Sequence, residues 1–247
     1  MKLKFRIDDN YLIAHTLSNV HAGRISSKVD GNELKGFQAR AWKQSKACYN
    51  ILVGWASPDD LATRSTAALS NEFPKYFSAI KRSKEYTVVR RRTAEYLSAC
   101  ERQWRSNTRN AEAIVREITG LNLAKSFTVY ITHPSLKNGI YLGDRKIAWG
   151  HHEDWPNYTT VYLWHEILHS YFDAKELDHA IIQLIADEEL RVRLNGGTYP
   201  PFVGHERLHS LMRNILPRWR KYMESEKRDI QSFKDRLMKS LHHVRSR

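Results

Sequence analysis

The chain has 247 residues, of which 41% are hydrophobic and 27% are charged, and it carries a formal net charge of +13. This composition is typical of a folded globular protein and excludes wholesale disorder, and no stretch approaches the ~18 apolar residues of a membrane span. The positive charge favours acidic partners such as nucleic acid, an anionic membrane surface or an acidic protein, without choosing among them.

The beginning of the chain predicts a strand at Lys2–Ile7, where polar and apolar residues alternate. No continuous apolar segment follows the basic residues there, so a secretory signal peptide is not expected. The two cysteines, Cys48 and Cys100, lack metal-ligand or redox spacing. We therefore expect reduced thiols and a cytoplasmic location.

The first half of the chain is predicted to be mainly helical because its apolar residues recur with helical spacing. The predicted helices are Leu34–Val53 ending near Gly54, Asp59–Leu69, Thr87–Arg105, and Asn110–Ile118 stopping at Gly120.

The middle of the chain changes to strand-forming residues. Ser126–Thr132 is rich in β-branched and aromatic residues, and Gly139–Leu142 and Lys146–Trp149 are separated by a short turn that indicates a hairpin. A helix from about Asn157 to Phe172 follows, with Asn157 or Asp154 as its N-cap.

The C-terminal region of the chain is predicted to be helical again. The helices expected there are Leu177–Leu194, stopped by Asn195-Gly196-Gly197, then Glu206–Tyr222 with a break or kink at Pro217, and Glu226–Val244. The predicted fold class is α+β and mainly helical. Three regions are expected, namely a helical region of residues 1–120, a catalytic core of residues 121–200 and a basic helical region of residues 201–247, with one integrated domain as the alternative.

One motif within the helix Asn157–Phe172 carries chemistry, because His165, Glu166 and His169 match H-E-x-x-H. Residues four apart lie on one helical face, so the two imidazoles can converge on one ion. Zinc binds neutral imidazole and keeps a position for water in catalytic sites. Glu166 is then placed to act as general base towards that water.

A second match to the motif occurs at His205-Glu206-Arg207-Leu208-His209. It follows two prolines and a glycine and has a charged residue between its histidines, whereas the first match is set in apolar residues. We expect His205 and His209 to lie at a solvated helix N-terminus. The alternative is that one of them donates a hydrogen bond to an oxyanion in the active site.

A third protein ligand is expected from the helix Leu177–Leu194. At about 100° per residue, Glu188 and Glu189 flank the centre of its apolar face and Asp187 points away. A carboxylate on an apolar face is costly unless it is paired or bound to a metal, which favours ligation by Glu188 or Glu189. The alternative is pairing with Arg191 or Arg193.

Predictions can also be made for four other polar residues near the motif. Asp173 is either an acceptor that orients His169 or a solvated carboxylate at the helix end. His179 lies on the polar face of its helix and is expected to be exposed. His151 and His152 could donate to a substrate carbonyl, although loop histidines are more often bystanders.

The strand, hairpin, motif helix and acidic second helix resemble the zincin metallopeptidases over roughly Phe127 to Leu194. In the gluzincin branch the third ligand is a Glu from the next helix, often twenty residues after the second His, and Glu189 stands in that position. The resemblance therefore implies Glu189, with Glu188 as the alternative. The metzincin pattern fails because Phe172 and Lys175 stand where its Gly and third His belong.

The predicted function is that of a zinc metallopeptidase acting on a protein or peptide substrate, with zinc on His165, His169 and Glu189. An edge strand, Gly139–Leu142 or Lys146–Trp149, could align an extended peptide. The alternative is a basic nucleic-acid-binding protein with a structural or vestigial metal site, supported by Arg90-Arg91-Arg92 and the basic C-terminal helices. A third hypothesis is a pseudo-enzyme that binds a partner. No membrane partner is expected.

Overall fold

The computed structural model describes residues 1–21, 23–28, 30–44, 74–173, 175–197 and 203–245. The predicted helix Asp59–Leu69, and the portion of Leu34–Val53 beyond residue 44, lie outside these ranges.

The described residues form an α+β fold that is mainly helical, as predicted from the sequence. The strands are β1 (Lys2–Arg6), β2 (Ser126–Ile131), β3 (Asn138–Gly143) and β4 (Lys146–Gly150). The helices are α1 (Asp9–His21), α2 (Asn32–Gln44), α3 (Pro74–Lys81), α4 (Lys84–Thr119), α5 (Tyr158–Leu168), α6 (Glu176–Gln183), α7 (Arg191–Asn195), α8 (His209–Met223) and α9 (Ile230–Arg245), with a π-helical segment at Leu184–Leu190 and a 3₁₀ turn at Glu206–Leu208.

The four strands form one mixed sheet in the order β1-β2-β4-β3. The β1/β2 and β2/β4 pairs are parallel, and β3 pairs antiparallel with β4. The β3–β4 hairpin was predicted and is confirmed. Asp144 and Arg145 form its turn with φ of 47° and 57°, the conformation of a type I′ turn. Two strands were predicted as possible peptide-aligning edges. Gly139–Leu142 lies in β3, at an edge of the sheet, whereas Lys146–Trp149 lies in β4, between β2 and β3.

The helix boundaries differ from the prediction where tertiary contacts override local sequence signals. The structure has one long helix, α4, where two helices were predicted, because the polar residues between them are held in helical geometry. There the amide of Asn107 donates to the Gln103 carbonyl oxygen at 3.0 Å and to Asn157 Oδ1 at 2.7 Å. Helix α1 was not predicted, because it is buried on all sides from Tyr11 to Val20 and so has no amphipathic pattern.

The chain divides into two compact units. One comprises Lys2–Arg102 with Ser126–Asp154, and the other comprises Met1, Gln103–Lys125 and Trp155–Arg247. These boundaries differ from the predicted divisions at residues 120 and 200. The sheet belongs with the N-terminal helices, whereas the motif helix α5 belongs with the C-terminal helices.

Each unit has its own buried apolar residues. In the sheet-containing unit, α1, α2 and α3 pack together around residues with at most 2% exposure, including Leu12, Phe37 and Phe77. In the unit that holds α5, the rings of Tyr222 and Phe233 pack at 4.7 Å, and the Tyr222 hydroxyl donates to a backbone carbonyl in α4 at 2.6 Å. None of the described helices combines the length and apolarity needed to cross a bilayer.

Gly120 provides a test of how α4 ends. Its φ is +67°, and a Cβ there would overlap the backbone carbonyl oxygen of Arg228. Gly196 ends α7 with φ +61° but has open space around it. We expect Gly196→Ala to lower the free energy of unfolding by about 1 kcal/mol, the cost of the left-handed conformation alone.

Gly120→Ala carries the same conformational cost and also forces the backbone near Arg228 to move, so we expect a loss of more than about 2 kcal/mol. Urea unfolding of both variants measures the difference. Equal losses would show that the contact with Arg228 does not constrain this position.

Candidate metal centre

The motif helix α5 is anchored at its start by neighbouring helices. Asn157, one of the two residues predicted as the N-cap, occupies that position with φ of 61°. Its side chain does not form a capping hydrogen bond. Its amide instead donates to Asn195 Oδ1 at 2.7 Å. Gln103 Oε1 caps the helix from α4 by accepting from the backbone N–H of Thr160 at 2.8 Å. The helix start is therefore fixed by tertiary contacts rather than by its own cap.

Helix α5 is buried on nearly every side, as predicted from its apolar surroundings. Trp164 has no exposed surface, and its ring packs against that of Trp104 at 5.8 Å. His165 and Glu166 are only 4% and 7% exposed. His169 lies at the C-cap, one turn further on, and its ring centroid is 5.1 Å from that of His165. The first motif thus places two imidazoles on one face inside the fold.

His179 from helix α6 completes a group of three imidazoles. One ring nitrogen from each of His165, His169 and His179 lies within 4.8 Å of the other two. The Nε2 atoms of His165 and His179 are 3.1 Å apart. Two nitrogens bound to one tetrahedral zinc at about 2.0–2.1 Å would be roughly 3.3 Å apart, so this spacing fits a shared ion. His179, predicted to be exposed, is partly buried in this group.

Asp187 orients His165, although the sequence predicted that it would point away. Asp187 is fully buried, and its Oδ1 accepts a hydrogen bond from His165 Nδ1 at 2.9 Å. The neutral form of His165 that carries its proton on Nδ1 has its Nε2 lone pair directed towards His179. A ligand imidazole held by a carboxylate in this way is a common arrangement in zinc sites.

The prediction for Asp187 failed because the helix does not keep one period. The segment Leu184–Leu190 is π-helical, with hydrogen bonds that span five residues instead of four. Each residue in it advances by a smaller angle than the 100° of an α-helix, which rotates the later side chains relative to the apolar face. Nothing in the sequence pattern marked this change of period.

The structure places the two glutamates predicted as third ligand away from the three imidazoles. Glu189 Oε2 accepts from Arg193 Nε at 3.3 Å, the arginine pairing given as the alternative from the sequence. Glu188 Oε1 accepts from the backbone N–H of Val203 at 2.9 Å, and its Oε2 lies 3.7 Å from Arg191. Neither carboxylate belongs to the group of described residues that could hold a metal ion. We therefore replace Glu189 by His179 as the third candidate ligand.

The charge states of His169 and His179 suit metal binding. Burial lowers the pKa of His165, but the charge and hydrogen bond of Asp187, with a contribution from Glu166, raise it by more. Burial and the neighbouring His165 lower the pKa of His169 to about 3 and that of His179 to about 2. His169 and His179 are therefore neutral near pH 7, the form of imidazole that binds a metal ion.

The second H-E-x-x-H match does not lie within one regular helix. His205 precedes the 3₁₀ turn in an extended conformation, and only His209 begins a helix, so the two do not share one helical face. His205 instead lies against the first site, with its ring centroid 4.7 Å from that of His179. Burial and the charge of His165 lower its pKa.

The backbone before His205 is hydrogen-bonded to side chains of α6 and of the π-helical segment that follows it. The Val203 carbonyl oxygen accepts from Gln183 Nε2 at 2.8 Å, and the Val203 N–H is the one that donates to Glu188. At Gly204 the φ is +88°, and a Cβ would lie 2.6 Å from Asp187 Oδ2. A glycine is therefore required for this segment to lie over Asp187.

A second group with metal-ligand atoms, His151, His152 and Asp154, lies in the other unit and suits a metal less well. The two imidazole rings are stacked, 4.7 Å apart at 21°, so their in-plane lone pairs do not converge. Asp154 Oδ1 is already shared by His152 Nε2 and the ammonium group of Lys28. Asp173, considered as an acceptor for His169, is 68% exposed and lies near Lys175 and Lys234.

No protein-family model, curated protein sequence or solved structure matches this chain.

The choice of third ligand can be tested by zinc content. We expect purified wild-type protein to hold about one zinc per chain after a mild chelator wash, and His179→Ala to lose it because a ligand is removed. His205→Ala, which removes a neighbouring imidazole outside the group, and Glu189→Gln should both retain zinc. Loss of zinc from Glu189→Gln with retention in His179→Ala would reverse the assignment.

The role of Asp187 predicts a graded effect. In Asp187→Asn the side chain no longer holds His165 with a charge, and we expect zinc affinity to fall by about 10–100-fold, measured by competition with a chromogenic chelator. Asp173→Asn serves as the control because that carboxylate is exposed and should leave the affinity unchanged. An unchanged affinity in Asp187→Asn would contradict the orienting role.

Proposed function

We propose that the protein is a zinc-dependent metallopeptidase of the zincin type, with His165, His169 and His179 as zinc ligands and Glu166 as general base. The observation that carries the proposal is the convergence of three buried or half-buried imidazole nitrogens within 4.8 Å on the H-E-x-x-H helix and the helix after it. The gluzincin branch is not included in the proposal, because a histidine replaces its glutamate in the ligand set.

The donor set agrees with catalytic rather than structural zinc. Structural sites are closed by four protein ligands, commonly cysteines, whereas catalytic sites have three ligands and an open position. The described residues place three imidazoles in the group, and His205 beside it remains outside. When bound, zinc supplies Lewis-acid activation of a water molecule and a substrate carbonyl near neutral pH.

The protein's own groups have separate roles in this proposal. Asp187 accepts the Nδ1 proton of His165 and fixes the ring orientation. Glu166, next to His165 in the chain and buried, accepts the proton from the attacking water and later delivers it to the leaving amine. Burial of Glu166 removes competing bulk water, which strengthens its electrostatic interactions at the reacting atoms.

Glu166→Gln is the decisive variant because it removes the base while keeping a side chain of the same shape. We expect it to retain zinc, with peptide cleavage lowered by at least about 100-fold, the range typical of general-base removal. Cleavage would be followed by mass spectrometry of a peptide library prepared from a cell lysate. Glu206→Gln, the equivalent change in the second motif, is the matched control and should cleave like wild type.

Three outcomes would contradict the proposal. Glu166→Gln cleaving at the wild-type rate would exclude the mechanism. Zinc-loaded wild-type protein that cleaves no peptide in the library would favour the pseudo-enzyme hypothesis. Wild-type protein without zinc would leave the nucleic-acid-binding alternative.

A further inference from the structure

The two C-terminal helices enclose a groove that is lined by cationic side chains. The groove between α8 and α9 has a volume of about 480 Å³ and includes Arg218, Lys221 and Arg236 in its lining. An adjoining cleft of about 550 Å³ shares Arg218 and Arg236 and adds Lys239. Among the described residues, no acidic side chain lines either one.

The four cations of the groove and its adjoining cleft are available to a ligand. All four are exposed, and none forms an ion pair with a carboxylate of the described residues. Arg218 and Lys221 are three residues apart on α8, and Arg236 and Lys239 are three apart on α9. Each pair therefore lies on one face of its helix, and both faces line the same pair of clefts.

The arginine cluster that stood out in the sequence has a different environment. Arg90 Nε lies 2.8 Å from Asp9, Arg92 Nε lies 3.4 Å from Glu33, and Arg91 Nε lies 3.9 Å from Glu95. Their charge is largely offset by neighbouring carboxylates. The C-terminal cations, by contrast, have no direct ion pair with a carboxylate of the described residues, and only the longer-range interaction of Arg236 with Asp229 offsets their charge.

The aromatic residues of the groove limit what it can bind. Tyr222 and Phe233 contribute to the lining but are only 5% and 3% exposed, so neither ring is available to stack on a base. A helix that lies in a membrane interface exposes large apolar side chains next to its basic residues. Here the aromatic residues of the two helices, Trp219, Tyr222 and Phe233, are all buried.

We propose that the groove formed by Arg218, Lys221, Arg236 and Lys239 binds the phosphodiester backbone of nucleic acid without reading its bases. Exposed Arg and Lys side chains contact phosphate oxygens, and such contacts fix the position of a nucleic acid without carrying sequence information. The net charge of +13 adds long-range attraction to the same class of ligand. This inference is independent of the metallopeptidase proposal.

The test is the salt dependence of binding to a short labelled duplex of mixed sequence, measured by fluorescence anisotropy. Each phosphate contact adds about 0.9 to the slope of log K against log salt concentration. Replacing all four cations by Gln should therefore lower the slope by about 3.6 and weaken binding at least about 100-fold at low salt. Wild-type affinity should not depend on the duplex sequence.

The matched control replaces two arginines and two lysines elsewhere by Gln, namely Lys35, Arg40, Lys84 and Arg105, which are also exposed. It should lower the slope by less than about 1. Zinc content and circular dichroism of both variants check that the fold is retained. The proposal is overturned if the two variants lose binding equally, or if the groove variant binds like wild type. It is also overturned if anionic vesicles or polyglutamate displace the labelled duplex more effectively than unlabelled duplex does, when the competitors are compared at equal concentrations of negative charge.

Discussion

The hydrogen bond between His165 Nδ1 and Asp187 Oδ1 is the interaction on which the candidate centre depends. A fully buried carboxylate is costly unless it is paired, and here the partner is a nearly fully buried imidazole. The bond joins the motif helix to the next helix and sets the direction of His165 Nε2. His179 can then approach that nitrogen, and Gly204 is required because the following segment lies over the same carboxylate.

The sequence was sufficient for the portion of the site that lies on one regular helix. His165, Glu166 and His169 follow from a four-residue spacing and apolar surroundings, and the structure places them together on a buried helix. The third candidate ligand could not be derived from the sequence in the same way. Its choice depended on a constant helical period, and the π-helical segment changes that period. His179 lies before that segment, and the only sequence signal for it was its place on the helix after the motif.

Local signals also explain which elements of the fold could be predicted. The strands at Ser126–Ile131 and the β3–β4 hairpin have strong β-branched and turn patterns, and both are confirmed. Helix α1 has no exposed face between Tyr11 and Val20, and its buried residues include polar ones, so it lacks the amphipathic pattern that marks a helix. The assignment of the sheet and the motif helix to different compact units depends on contacts between distant regions of the chain. The position of His205 beside His179 also depends on contacts between distant residues. Val203, two residues before His205, accepts a hydrogen bond from Gln183 and donates one to Glu188.

The most direct test of the central claim is anomalous diffraction at the zinc edge from crystals of the zinc-loaded protein. The account predicts one strong peak about 2.0–2.1 Å from a ring nitrogen of each of His165, His169 and His179, with Asp187 still bonded to His165 Nδ1. A peak bound by Glu189, a peak at His151 and His152 alone, or no peak among the three imidazoles would contradict it.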